Sequence, residues 1–113
     1  MKKLRNKILL AGIHILPAVS DFKICDKIRP YLRPYRLRLE TGVIYFPEEV
    51  SLEQNAEISR AKCEDLFQKG ISFSDIVIIE DTHDGISLYL RSGYVFNFTY
   101  ESTFIKITNV YPV

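Results

Sequence analysis

The 113-residue sequence predicts an α+β fold, and three observations carry the prediction. Residues 76–110 hold an apolar run followed by alternating apolar and polar stretches, cut at short intervals by turn residues, the pattern of an antiparallel β-meander. Residues 51–69 repeat apolar side chains at helical spacing over five turns. Thr41-Gly42 parts two short alternating runs, the pattern of a hairpin. The expected architecture is a meander with one main helix packed on a face, plus an N-terminal strand or helix and a hairpin. The length is that of a single domain spanning residues 1–113.

Taken in order, the chain opens with a basic lead-in, Lys2, Lys3, Arg5 and Lys7, before an apolar run at 8–16. Together with the small residues Ala18 and Ser20, this has the outline of a signal peptide. His14 and Gly12 interrupt the apolar run, and we expect a retained structural element in a cytoplasmic protein. The run is shorter than the roughly 20 apolar residues a bilayer span requires, so no membrane association is expected. Ser20 caps a short helix reaching about residue 28, with Phe22, Cys25 and Ile28 at helical spacing. Pro30 and Pro34 are expected to prevent a regular helix beyond it, because each lacks an N–H and restricts the residue before it. Residues 35–40 then alternate, with Tyr35, Leu37 and Leu39 on one face and Arg36, Arg38 and Glu40 on the other. Residues 43–46 form the returning strand, which Pro47 ends.

In the helix expected over 51–69, Ser51 and Gln54 make a capping box and Gly70 supplies the stop. Leu52, Ala56, Ser59, Cys63, Leu66 and Phe67 form the stripe that faces the core, and Glu53, Glu57 and Glu64 line the adjoining face. Ile58 lies off the stripe, near Asp65. The apolar run at 75–80 reads as a strand buried on both faces or central in the sheet, and 81–85 as a turn in which Gly85 can take positive φ. Tyr94, Phe96, Phe98 and Tyr100 are expected on one face of a later strand.

Net charge is only +1, yet it is divided. Residues 1–39 hold ten basic and two acidic residues, +8, while residues 40–113 hold five basic and twelve acidic residues, −7. Either the two parts pair inside the fold, or each offers a field to a partner. Cys25 and Cys63 show no metal or redox spacing and read as reduced thiols, with a mutual disulfide as the alternative for an exported chain.

Few groups in the sequence converge for catalysis. His14 reads as a packed histidine. His83, among Glu80, Asp81 and Asp84, has acids on both sides, yet the span matches no metal-ligand spacing and reads as a polar loop. No phosphate loop, nucleophile elbow, HExxH or dinucleotide fingerprint is present. We therefore expect a protein that is not an enzyme and needs no cofactor or metal. Arg-Pro-Tyr occurs twice within Arg29-Pro-Tyr-Leu-Arg-Pro-Tyr-Arg-Leu-Arg38. Arginine forks suit phosphate and tyrosines stack on bases, so nucleic-acid binding through Arg29, Arg33, Arg36 and Arg38 is the alternative function, and a small ribonuclease using His83 a lesser one.

In size, charge division and richness in Ile, Lys, Phe and Tyr, the chain resembles bacterial toxin-immunity proteins, including those of contact-dependent growth inhibition. The resemblance lies in this general character and assigns no residue. It implies an inhibitor that neutralises a cognate protein toxin, a nuclease in the specific form of the reading, by occluding it. The charge layout points to Glu53, Glu57, Ile58, Glu64 and Asp65 on the helix, with Asp81 and Asp84 in the turn, as the partner-binding residues.

Overall fold

The computed structural model describes residues 16–47, 60–100 and 105–109. The first helix, α1 (Asp21–Tyr35), runs seven residues beyond the stop that its prolines led us to expect. Its start is as expected: Ser20 is extended (φ −62°, ψ 147°) and its hydroxyl accepts the Lys23 N–H at 3.3 Å. The continuation is decided by burial. Ile24, Ile28, Tyr31 and Tyr35 lie at i, i+4, i+7 and i+11 and are all within 3% of complete burial. Burying four such side chains is worth roughly 6–12 kcal/mol, against about 6 kcal/mol for two prolines inside a helix. Pro30 and Pro34 are both exposed, so neither ring takes the place of a core side chain. Phe22, expected on the packed side, is 84% exposed.

Arg36 ends α1 in the left-handed region (φ 58°, ψ 35°). Its N–H reaches the Arg33 carbonyl at 3.1 Å, and the Leu37 N–H reaches the Leu32 carbonyl at 2.8 Å. This bond pair is a Schellman stop, here with arginine where glycine is usual. The chain then makes the expected hairpin, β1 (Arg38–Glu40) and β2 (Val43–Tyr45). Thr41 (φ 42°) and Gly42 (φ 79°) both take positive φ, as a two-residue hairpin turn requires. Tyr35, expected in the first strand, belongs to α1 instead.

Helix α2 (Arg60–Lys69) is the described part of the helix expected over 51–69, and residues 51–59 lie outside the described residues. It stops as expected at Gly70, whose N–H bonds to the Leu66 carbonyl at 2.7 Å. A short β3 (Ile71–Ser72) completes an antiparallel sheet in the order β1-β2-β3. A 3-10 turn (Phe73–Asp75) leads into the meander of β4 (Ile76–Thr82), β5 (Gly85–Leu90), β6 (Tyr94–Thr99) and β7 (Lys106–Asn109), four antiparallel strands in sequence order.

Register places Ile79, Leu88, Phe96 and Ile107 in one row across the sheet, all packed into the core. Among the described strands, β4 lies at the edge of this sheet and not at its centre, as the alternative sequence reading had it. Its first residues are nonetheless covered on both sides. A bulge between Ile76 and Ile78 turns Val77 to the face opposite the main core, where it packs with Leu16, Ile78 and Tyr89. Gly85 does not take positive φ. Glycine is needed there because a Cβ would lie 1.8 Å from the Phe98 carbonyl oxygen.

Helix α1 lies on the inner face of the meander. Tyr31 and Tyr35 pack against Phe98 at ring-centroid distances of 5.7 and 5.2 Å. The small sheet closes the same core from another side, with Ile44, Ile71 and Phe46. Phe46 stacks on Phe96 at 5.7 Å and meets Phe67 of α2 edge-on at 5.1 Å. Among the described residues, no helix is long and apolar enough to cross a membrane.

A candidate partner-binding surface

The hairpin joining β4 to β5 projects Asp81, His83 and Asp84 at one end of the meander, all exposed. Strand pairing positions them: Thr82 opposes Gly85, which in turn opposes Thr99 of β6. The next residue, Tyr100, donates its N–H to the Asp84 carbonyl at 2.9 Å, so the tyrosine is tied directly to the acidic turn. Tyr100 is 64% exposed, and its inner side stacks on Tyr31 of α1 at 5.3 Å and 20°. It was expected beside Tyr94, Phe96 and Phe98 on one strand face. The strand ends at Thr99, and the tyrosine swings out to the rim.

Beneath it, the tyrosine that ends α1, Tyr35, and the one a turn before it, Tyr31, are held differently. The Tyr35 hydroxyl donates to the Thr99 carbonyl and accepts the Thr99 N–H, each at 2.9 Å. Among the described residues, β7 pairs with β6 as far as Asn97, and the Tyr35 phenol meets the backbone groups of Thr99 two residues further on. The Tyr31 hydroxyl is buried and meets no hydrogen-bond partner in good geometry, although the Tyr100 phenol lies against it. Burial, and then that neighbouring phenol, push the Tyr31 pKa above the ordinary tyrosine range.

The two acids are not equivalent: Asp84 stands in the turn, whereas Asp81, expected there, belongs to β4 because the strand pairing runs on to Thr82. Asp81 takes the Lys27 ammonium of α1 on both oxygens, at 2.8 and 3.0 Å. This bond, acting first, holds the Lys27 pKa above its ordinary value. One basic residue of the N-terminal third thus pairs with the acidic remainder inside the fold. Asp84 accepts only the Thr82 hydroxyl at 3.1 Å, with His83 Nδ1 at 3.9 Å, and keeps its charge towards solvent. His83 is 95% exposed. Among the described residues, no three His, Cys, Asp or Glu side chains gather as metal ligands. Behind the turn, the outer sheet face holds a concavity of about 370 Å³, lined mainly by polar groups that include Asp84, Ser87, Asn97, Thr99 and Lys106.

Of the other expected partner-binding residues, Asp65 sits half-buried on α2 and pairs with Lys69 at 3.1 Å. It is not part of the Tyr100 rim. Glu53, Glu57 and Ile58 lie outside the described residues, as does the side chain of Glu64. Cys25 is a free thiol, so it forms no disulfide with Cys63.

The arginine segment divides as well. Arg38 pairs with Glu40 at 3.2 Å and lies over the Tyr45 ring at 5.5 Å. Arg29, Arg33 and Arg36 are exposed and have no ion pair or hydrogen bond through their side chains among the described residues.

The sequence reading missed Tyr100, Tyr31 and Phe22. The i, i+4, i+7, i+11 series of Ile24, Ile28, Tyr31 and Tyr35 was present in the sequence and would have revealed Tyr31 as core and Phe22 as opposite to it. Accepting that series required setting two prolines aside. Tyr100 gave no such signal, since it stands in phase with Phe98. No protein-family model, curated protein or solved structure matches the chain.

Proposed function

We propose that the protein is a non-enzymatic binding protein, an inhibitor of the immunity type that neutralises a cognate protein toxin in the cytoplasm by covering a basic, nucleic-acid-handling surface. The observation that carries this reading is Tyr100, an exposed aromatic side chain held between a backbone bond to the acidic turn and a stack on Tyr31. Interfaces draw most of their affinity from a few aromatic or arginine anchors, and charge around such an anchor sets encounter rate and partner choice. Tyr100 supplies the anchor with little conformational freedom left to lose, because its ring already has a partner on one side. Asp84 supplies the charge, and the Lys27 bond fixes the place of Asp81. Glu53, Glu57, Ile58, Glu64 and Asp65 remain the further partner-binding residues of this proposal, apart from the Tyr100 rim.

The test is inhibition of a partner's own activity. Captured from native lysate after nuclease treatment, the partner should be stoichiometric, and its toxicity or nuclease activity should fall to background when the protein is added. Tyr100→Ala should raise the dissociation constant about 30-fold or more, as loss of an anchor worth about 2 kcal/mol does. Asp84→Lys should slow association and flatten its salt dependence. A partner whose activity is unchanged by stoichiometric protein would defeat the inhibitor reading. Full inhibition by both variants would move the contact elsewhere.

A further inference from the structure

The outer face of α1 is a second charged surface, remote in character from the acidic turn. Phe22, Asp26, Arg29 and Arg33 follow one another at i, i+4, i+7 and i+11, and Arg36 extends the same side past the helix end. The inner face is committed to the core, so this ridge is what α1 offers to solvent. Arg29 and Arg33 are one turn apart, about 6 Å along the axis, and Arg36 lies within about 10 Å of Arg29. None of the three has a partner that neutralises it among the described residues. Phe22 continues the ridge about 10 Å towards the N-terminus and buries almost nothing. Arg36 also holds a left-handed conformation in which glycine would be free of strain, so the chain keeps a guanidinium at a conformational cost.

We infer that this ridge binds the backbone of a single-stranded nucleic acid, with Arg29, Arg33 and Arg36 on successive phosphates and Phe22 stacked on an unpaired base. Three closely spaced, unneutralised guanidiniums match a polyanion, and an exposed aromatic ring on the same line matches a base that a duplex would keep stacked inside. Asp26 lies between the two features and opposes the strand there. The binding is sequence-independent, because the contacts are to phosphate and to a π-face. It does not depend on the inhibitor reading, which uses none of Phe22, Arg29, Arg33 and Arg36.

The experiment is fluorescence anisotropy of the full chain with a labelled single-stranded oligonucleotide across a salt series. Three phosphate contacts give a slope of log K against log salt of about −2. The triple variant Arg29→Ala/Arg33→Ala/Arg36→Ala should bring that slope close to zero, and the triple lysine variant should retain it. Phe22→Ala should weaken binding several-fold with the slope unchanged, and Asp26→Asn should tighten it. Circular dichroism confirms that each variant is folded. Should the triple alanine variant fail that check, Arg33→Glu alone must lower both affinity and slope. Absence of binding at low salt, or wild-type affinity and slope in a folded triple variant, would overturn the inference. So would equal affinity for poly-glutamate, which would assign the ridge to an acidic protein.

Discussion

The two faces of helix α1 are built from alternating stretches of the same fifteen residues and behave as different materials. The inner face, Ile24, Ile28, Tyr31 and Tyr35, touches the meander and is closed to water. The outer face, Phe22, Asp26, Arg29 and Arg33, touches nothing in the described fold that would hold it. The difference shows where this protein keeps its stability and where it keeps its binding capacity. Apolar area removed from water sets the path of the chain, even through two prolines, and leaves the charged side free for other uses.

Substitutions on the two faces should have very different effects. The largest expected effect is on the floor of the inner face. Phe98→Ala removes the ring against which Tyr31 and Tyr35 pack and should cost about 3–5 kcal/mol, read as a lower denaturant midpoint. Phe22→Ala on the outer face should stay within about 0.5 kcal/mol. Equal losses would erase the distinction. Next comes Gly85→Ala, which drives a Cβ into the Phe98 carbonyl and should cost about 1–3 kcal/mol or more, because backbone and not a rotamer must give way.

A finer contrast lies within the inner face itself. Tyr35→Phe leaves the Thr99 N–H and carbonyl unpaired and should cost about 1–2 kcal/mol. Tyr31→Phe removes a buried hydroxyl that has no partner and should be neutral or stabilising.

The same pair differs in pH dependence. With its folded pKa raised, Tyr31 keeps its proton in the native state while the unfolded chain loses it. Stability is therefore intact below about pH 10 and falls as pH rises beyond it. Lys27 acts in the same window: its bond to Asp81 is fully present at lower pH and is lost as pH climbs through its raised pKa. Chemical denaturation between neutral and strongly alkaline pH should show a shallower decline for Tyr31→Phe than for the wild type. An identical decline would mean that the buried phenol does not titrate as its surroundings dictate. The smallest stability change is expected for Arg29→Ala, Arg33→Ala and Arg36→Ala, each within about 0.5 kcal/mol, although together they should abolish the salt-dependent binding.

Much of the fold was legible because it follows local rules. The meander, the Thr41-Gly42 hairpin, the Ser20 cap and the Gly70 stop each rest on a few neighbouring residues with characteristic chemistry. The extent of α1 was not legible, since local cost argued against it and only the distant strands made it favourable. The edge position of β4 was hidden for a related reason. Ile76 and Val77 are apolar because opposite faces are covered, one by the core and one by the segment at Leu16. The candidate site was legible only in part: Asp84 stands in the expected turn, whereas Asp81 belongs to β4, and the unequal partners of the two acids left no trace in the local sequence.

The class of the fold, the succession of the meander strands and the division of charge can be read from the sequence, because periodicity, turn chemistry and charge are properties of adjacent residues, whereas the separate sheet β1-β2-β3 cannot. Tertiary structure alone decided that α1 runs through its prolines, that Lys27 neutralises Asp81 across 54 positions, and that Tyr100 leaves its strand to cover Tyr31. Each of these outcomes depends on a contact between residues far apart in the chain. Burial free energy gained at such a contact outweighs a local preference, and no short stretch of sequence contains both terms.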